Sequence, residues 1–299
     1  MIQNMKFIAL LLTMLAVALL AAACGQKEEA VVDEAVCVVD SVVSADGTMI
    51  HYQVEGIGGP LIVLVHCWSC DRSYWDHQVP ELSANYQVVA IDLAGHGESA
   101  LGREDYTMEA YAQDVLAVIN KLGAEKVILV GHSMGGAVIV ETARLIPEKT
   151  VGLIGIDNFQ DFSQKLPEEQ AKAYLAAMEA DFVNVTVAWV SGNMFAPTTD
   201  STLKFETAKD MASGPQDVAL SSMANLFNYD FAAAVAEIKA PIYNVNSAAA
   251  PTNVEGNRAL TASFDVTLMD SVGHFPMFER PDAFTQALED IITKLTATE

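Results

Sequence analysis

Basic residues are scarce in this 299-residue chain. It has 16 Lys and Arg against 39 Asp and Glu, which gives a formal net charge of −23. Because Lys and Arg supply most of the affinity for a phosphate backbone, this balance argues against a nucleic-acid-binding protein. It also disfavours anionic substrates. Apolar residues make up 52% of the chain and charged residues only 18%, so the sequence predicts a folded protein with a large core.

Signatures of cofactor binding are also missing from the sequence. It contains no cluster of metal-ligating residues, no phosphate-binding loop and no dinucleotide fingerprint. The glycine-rich segment from Gly56 to Pro60 precedes an apolar run and is interpreted as a turn. We therefore expect a function that needs neither a metal nor a cofactor.

Cysteine occurs only four times, as Cys24, Cys37, Cys67 and Cys70. The last two form a Cys-x-x-Cys motif, which is compatible with a redox pair, a local disulfide or two inert buried thiols. A zinc site would need a second pair of ligands. The motif does not open a helix, as thioredoxin-like sites require, so a structural role is favoured over redox catalysis.

The longest apolar run lies near the N-terminus, from Phe7 to Ala23. A preceding Lys6 and the small residues before Cys24 are typical of a targeting signal. The segment resembles a bacterial lipoprotein signal, in which cleavage leaves Cys24 to carry lipid, although Ala21 stands where Leu is usual. An ordinary secretory peptide cut after Ala23 is the alternative. The run is short for a membrane span of ~20 residues.

These features divide the N-terminal part of the chain into two segments. Residues 1–23 are predicted to be the signal and residues 24–37, which are largely polar and acidic, a tether. We expect an exported protein of the bacterial envelope, periplasmic or on the cell surface, whose only membrane contact is the lipid anchor.

The rest of the chain alternates short apolar runs with longer amphipathic stretches. This pattern predicts an α/β fold with a mostly parallel eight-stranded sheet and helices on both faces. Two strands lie within Val38 to Val54, on either side of an Asp46-Gly47 turn. The other predicted strands are Leu61–Val65, Val88–Asp92, Lys126–Val130, Val151–Ile156, Pro241–Val245 and Phe264–Met269.

Helix signals support the same division. A predicted helix is capped by Thr107 and ends at Gly123, and another begins after Pro281. The strand rhythm stops between residues 159 and 236, which predicts a helical cap inserted into a core of residues 38–158 and 237–299.

The strongest catalytic signal is the segment Gly131-His132-Ser133-Met134-Gly135-Gly136. This Gly-x-Ser-x-Gly motif follows a predicted strand and precedes a predicted helix, which is the context of an exposed nucleophilic serine. A serine hydroxyl needs a base near neutral pH. His274 follows the last predicted strand, so the order nucleophile first and base last fits Ser133 and His274.

Together these motifs resemble the α/β-hydrolase superfamily over nearly all of the chain from Val38. His66-Cys67-Trp68 resembles the oxyanion segment after the third strand, and Asp92 to Ser99 resembles the Asp-x-x-Gly-x-Gly-x-Ser loop. The resemblance implies that the backbone N–H groups of Trp68 and Met134 form the oxyanion hole. Each such donor contributes about 3 kcal/mol of barrier lowering.

Two positions depart from the family pattern. Cys67 stands where the family usually has glycine, so either its backbone avoids positive φ or the loop is shifted. The acid that usually follows the seventh strand is replaced by Ala248-Ala249-Ala250. Some relatives carry the acid after the sixth strand, where this chain has Asp157, so Asp157 is the predicted triad acid. The weaker candidates are Asp161 and Glu255.

We therefore expect a serine esterase that cleaves a small or medium neutral ester through an acyl-enzyme. Dehalogenases and epoxide hydrolases of this fold attack with Asp, which the serine excludes. The alternatives are a catalytically impaired binding or sensory relative and an acyltransferase. Candidate walls of the substrate pocket are the apolar residues Trp68, Trp75, Trp189, Met194, Phe195, Phe227 and Phe278.

Overall fold

A single sheet of eight strands organises the part of the chain that the structure describes. The computed structural model describes residues 37–297. The strands are β1 (Val38–Val43), β2 (Met49–Glu55), β3 (Leu61–Val65), β4 (Val88–Ile91), β5 (Val127–His132), β6 (Thr150–Ile156), β7 (Ile242–Ser247) and β8 (Phe264–Met269). Their order across the sheet is β1-β2-β4-β3-β5-β6-β7-β8.

The sheet is parallel from β4 to β8, whereas β2 pairs antiparallel with both β1 and β4. Every residue of β3, β4 and β5 is buried. Parallel strands covered on both faces consist of such continuous apolar runs, because neither face meets water. The predicted α/β class, with eight strands and a mostly parallel sheet, is confirmed.

Eleven helices surround the sheet in residues 37–297. They are α1 (Gln78–Ser83), α2 (Met108–Leu122), α3 (Met134–Leu145), α4 (Glu168–Ala180), α5 (Phe182–Asn193), α6 (Ser201–Met211), α7 (Gln216–Asn228), α8 (Phe231–Val235), α9 (Val254–Leu260), α10 (Pro276–Glu279) and α11 (Pro281–Thr296). A 3-10 turn covers Arg72–Trp75. None of these helices is long and apolar enough to cross a membrane.

Local signals fix the ends of helix α2. The Thr107 hydroxyl accepts a hydrogen bond from the Ala110 N–H at 3.1 Å, which satisfies one of the free donors of the first turn. Gly123 ends the helix with φ +67°, a left-handed conformation that glycine adopts without a Cβ penalty. Both ends therefore lie where the sequence predicts them.

Helices α4 to α8 lie between β6 and β7 and are called the helical insertion below. They occupy the interval in which the sequence predicts a cap. The Trp68 indole N–H donates to the carbonyl of Ala219 in α7 at 2.8 Å, and the Tyr74 hydroxyl donates to Asp210 in α6 at 2.8 Å. Side chains that follow strand β3 thus anchor the helical insertion to the core. The predicted signal of residues 1–23, the tether up to residue 36 and Cys24 lie outside the described residues.

Candidate active site

Ser133 occupies a sharp turn between β5 and α3. Its backbone has φ +53° and ψ −114°, and its N–H donates to the carbonyl of Ile156 at 3.0 Å. The turn depends on glycine, because a Cβ on Gly131 would lie 2.3 Å from the Gly135 carbonyl oxygen. A Cβ on Gly135 would lie 2.6 Å from the Val65 carbonyl oxygen. Strain of this kind presents the serine side chain at the edge of the sheet.

His274 and Asp157 meet across this edge. The His274 Nδ1–H donates to Asp157 Oδ2 at 2.6 Å, which leaves Nε2 as a proton acceptor. Ser133, Asp157 and His274 all line one cavity of 880 Å³. Within the described residues, the Ser133 hydroxyl forms no hydrogen bond with the His274 imidazole. In enzymes of this kind the bond between nucleophile and base often forms only when substrate is bound. The structure therefore places the three predicted triad residues around one space.

The environment of Asp157 favours its carboxylate form. Burial works against the charge, but hydrogen bonds from the His274 ring and the Ser247 N–H outweigh it and lower the pKa of Asp157 below its ordinary value. The Ser247 N–H donates to Asp157 Oδ1 at 3.0 Å, so both carboxylate oxygens have partners. The backbone of Asp157 has φ +43°, a conformation that few non-glycine residues adopt.

The loop that carries His274 is fastened to the segment after α5. The His274 N–H donates to the Met194 carbonyl at 2.6 Å. The Glu279 carboxylate accepts from the Gly273 N–H at 2.7 Å and from the Ala196 N–H at 2.9 Å. A second link runs from the Ser247 hydroxyl to the Val272 carbonyl at 2.7 Å. The position of the base is thus set jointly by β7, α10 and the helical insertion.

His132, which precedes the nucleophile, is neutral. Complete burial and the nearby His274 lower the pKa of His132 to about 3. Its Nε2 lies 2.8 Å from the His274 carbonyl oxygen, and a carbonyl only accepts, so Nε2 carries the proton. The two rings are 4.7 Å apart between centroids. A neutral neighbour at this distance adds no charge that would oppose protonation of His274 during proton transfer.

The predicted oxyanion donors lie on adjoining segments. Met134 is the first residue of α3, so its N–H has no partner within the helix. The neighbouring Gly135 packs against the carbonyls of Val65 and His66, which precede Trp68 by three and two residues. The Trp68 ring is fixed to the helical insertion by the bond to Ala219, while no backbone hydrogen bond of the described residues uses its N–H. Trp68 and Met134 thus remain our assignment for the oxyanion hole.

The Cys-x-x-Cys motif forms a disulfide between Cys67 and Cys70. Of the three interpretations of this motif, the local disulfide is the one present. Both cysteines are buried, and the Cys70 N–H donates to the Cys67 carbonyl at 3.3 Å. Cys67 is not among the residues with positive φ, so its side chain is accommodated without the left-handed conformation that glycine would allow.

The other acid candidates contact different partners. The Asp161 carboxylate accepts from the Ser163 N–H at 2.9 Å and from the Asn253 amide at 2.8 Å. Glu255 lies in the first turn of α9. In the described residues, Asp157 is the carboxylate hydrogen-bonded to the His274 ring.

The predicted pocket walls are partly wrong. Trp189, Met194 and Phe195 do line the cavity of the candidate site. Trp75 is fully buried and stacks on Phe284, because its side chain belongs to the core. The remaining candidates, Trp68, Phe227 and Phe278, pack against Phe182, Tyr174 and Tyr74 respectively. The walls of this cavity that sequence reasoning missed include Gln160 and Ala248 to Ala250. Phe159 and Phe231, which it also missed, line a second cavity beside Ser133.

Comparison with known proteins agrees with this fold. Residues 62–287 match the model of the alpha/beta hydrolase family, which covers more than half of the chain. The protein therefore belongs to the alpha/beta hydrolase family.

Three proteins illustrate what this chain is similar to. Karrikin insensitive 2 receptor CA of Petunia hybrida is 27% identical over 80% of this chain and 93% of that protein. A probable esterase of Oryza sativa subsp. japonica is 29% identical over 76% of this chain and 89% of its own length. The structure of a thermophilic esterase from Thermogutta terrifontis is similar with a TM-score of 0.74 and 23% identity, over 86% of this chain and 99% of that one.

Proposed function

We propose that the protein is a serine hydrolase that cleaves small or medium neutral carboxylic esters through an acyl-enzyme. The observation that carries this proposal is the 2.6 Å hydrogen bond between His274 and Asp157 at the cavity that Ser133 also lines. A buried carboxylate that fixes the tautomer of a histidine beside a serine is the arrangement that activates a hydroxyl nucleophile.

The proposed reaction has two halves. In the first, Ser133 Oγ bonds to the ester carbonyl carbon while its proton passes to His274 Nε2 and then to the departing alcohol oxygen. In the second, a water oxygen bonds to the acyl carbon while its proton passes to His274 Nε2 and then to the departing Ser133 Oγ, which releases the acid and restores the serine. The N–H groups of Trp68 and Met134 hold the oxyanion in both halves.

The charge of the cavity supports a neutral substrate. Its walls contain no Lys or Arg, and its carboxylates are Asp157, which is bonded to His274, and the exposed Asp270. An anionic ester would enter against these carboxylates and against the net charge of −23. Uncharged esters meet no such opposition.

The decisive experiment uses Ser133→Ala with Ser201→Ala as the matched control, since Ser201 is exposed at the start of α6. Ser133→Ala should abolish hydrolysis of short nitrophenyl esters and labelling by a fluorophosphonate, while circular dichroism stays unchanged. Ser201→Ala should retain both. Full turnover by Ser133→Ala would refute the proposed mechanism.

A second candidate, a ligand sensor, is favoured by one observation. The Petunia relative that matches 80% of this chain is named as a receptor. In that case Ser133 would react slowly or not at all, and ligand binding would change the thermal stability of the protein. Turnover below one ester per hour, together with a raised melting temperature in the same ester, would favour the sensor.

We also propose export and lipidation at Cys24. The supporting features are the apolar run of residues 7–23 and the small residues before the cysteine. Mass spectrometry of the protein expressed in a bacterial host should show a lipid-modified N-terminal Cys24. An unmodified N-terminus at Cys24 would support the ordinary secretory signal instead.

A further inference from the structure

Ser133 lies where two cavities meet. One is the 880 Å³ cavity described above, and the second has a volume of 440 Å³. Ser133, Asp157 and Gln160 line both of them, whereas His274 lines only the larger one. This asymmetry matters because the two halves of an ester separate at the carbon that Ser133 attacks.

Proton transfer decides which half of the substrate lies on which side. The departing alcohol oxygen must receive its proton from the His274 ring, so the alcohol has to lie on the side of His274. The acyl group, which stays attached to Ser133 Oγ, then has the smaller cavity available to it. From this geometry we infer that the larger cavity is the leaving-group site and the smaller cavity the acyl site. The inference rests on the proposed function.

The wall of the leaving-group site contains three exposed alanines, Ala248 to Ala250, at the end of β7. The family usually has its acid in this part of the chain. With the carboxylate located at Asp157 instead, small side chains leave space beside His274. Trp189, Met194 and Phe195 line the same cavity and provide an apolar surface. The site therefore fits a bulky, uncharged alcohol.

The acyl site has a different character. Its apolar walls are Phe159, Phe162, Leu226 and Phe231, and polar side chains including Gln170 line the rest. Its cation, Lys165, forms a salt bridge with Asp230 at 2.8 Å, and the carboxylates of Asp157 and Asp161 line the same cavity, so its charge balance opposes an acyl carboxylate. The substrate class that this division specifies is an ester of an apolar, uncharged acid with a larger neutral alcohol.

Three variants test the assignment, because each one narrows only one of the two cavities. Ala249→Phe places a ring in the leaving-group site, and Leu226→Trp places one in the acyl site. Gln170→Trp, at the exposed rim of the acyl site, repeats the second test at a position that cannot disturb the core. The control is Ala176→Phe on the exposed face of α4, which lines neither cavity.

The substrates form two series, and within each series the reactivity of the ester carbonyl and of the leaving group changes little. Methyl, benzyl and naphthylmethyl acetates vary the alcohol, and nitrophenyl acetate, butyrate and octanoate vary the acid. Ala249→Phe should lower the kcat/KM ratio of naphthylmethyl to methyl acetate by about ten-fold, and the loss should fall in acylation. Leu226→Trp and Gln170→Trp should lower the ratio of octanoate to acetate by a similar factor and should also alter deacylation.

The outcomes separate this inference from the proposed function. If Ala249→Phe changed the acyl series and Leu226→Trp the alcohol series, the assignment of the two sites would be overturned although the protein is an esterase. The assignment would also be overturned if all three cavity variants had the same two kcat/KM ratios as the Ala176→Phe control. If the unsubstituted chain cleaved none of these esters and Ser133 did not react with a fluorophosphonate, the proposed function itself would fail.

Discussion

Strands β6 and β7 are neighbours with the same direction, yet they end differently. Ile156 pairs with Val245, so the residues that follow the two strands lie side by side. After β6 comes the Asp157 carboxylate, whereas β7 ends with Ser247 and is followed by three alanines. Ser247 nevertheless donates its N–H to Asp157 and its hydroxyl to Val272. The comparison shows that a residue after one strand can be held by the end of its neighbour. For the proposed mechanism we infer that the carboxylate beside His274 is specified by its position in space, whichever strand end supplies it.

The largest expected effect is the loss of the carboxylate at the end of β6. Asp157→Asn should lower kcat by about 10⁴, because the amide no longer holds His274 in the required tautomer or stabilises its cation. Steady-state kinetics with nitrophenyl acetate measure the effect, with Asp161→Asn as the control on the same loop. A loss of only two- or three-fold would show that Asp157 does not serve His274.

The next effect comes from moving the acid to the end of β7. In the Asp157→Asn background, Ala248→Asp should recover at least about ten-fold in kcat, since Ala248 and His274 line the same cavity. Ala248→Asn in that background is the matched control. If Ala248→Asp recovered no more kcat than the Ala248→Asn control, the two strand ends would not be interchangeable.

A smaller effect is expected from the hydroxyl at the end of β7. Ser247→Ala removes the 2.7 Å bond to Val272 and loosens the loop two residues before His274. We expect kcat to fall by about three- to ten-fold with little change in KM, which corresponds to about 1 kcal/mol for a lost hydrogen bond. A change confined to KM would contradict a role in placing His274.

The smallest effect concerns stability and acid. The pKa of Asp157 is lowered in the folded state from its ordinary value of 3.8, so the carboxylate stabilises the fold above that value. The stabilisation is lost as the pH falls through the folded pKa. Urea unfolding of the wild type and Asp157→Asn should therefore show a smaller difference in the free energy of unfolding below pH about 3 than at pH about 5. A difference that grew as the pH fell from about 5 to about 3 would contradict the lowered pKa of Asp157.

Local sequence signals predicted one part of the candidate site well. The turn at Ser133 follows from glycines that the close backbone contacts of Gly131 and Gly135 require. The positions of His274 and Asp157 at the same edge follow from strand order, because parallel strands end on one side of the sheet. These inferences need only the motif and the succession of strands.

The cavity walls could not be predicted in the same way. Trp75 and Phe231 are both large aromatic residues, and the sequence does not distinguish their roles. Packing puts Trp75 in the core and Phe231 at a cavity. The three alanines after β7 suggest only a missing acid until their neighbours are known. Sequence reasoning identifies chemical groups near a strand end, whereas the shape of the space between them depends on contacts distant in the chain.

Because Cys67 and Cys70 form a disulfide, the state of this segment depends on the redox conditions in which the protein folds. The disulfide closes a four-residue ring that contains Trp68, whose N–H we assign to the oxyanion. Both cysteines are buried, so a thiol reaches the bridge when the chain is unfolded rather than in the folded protein. Material refolded with dithiothreitol would therefore lack the bridge beside Trp68 that material refolded in air contains, and the choice of refolding buffer becomes an experimental variable in its own right.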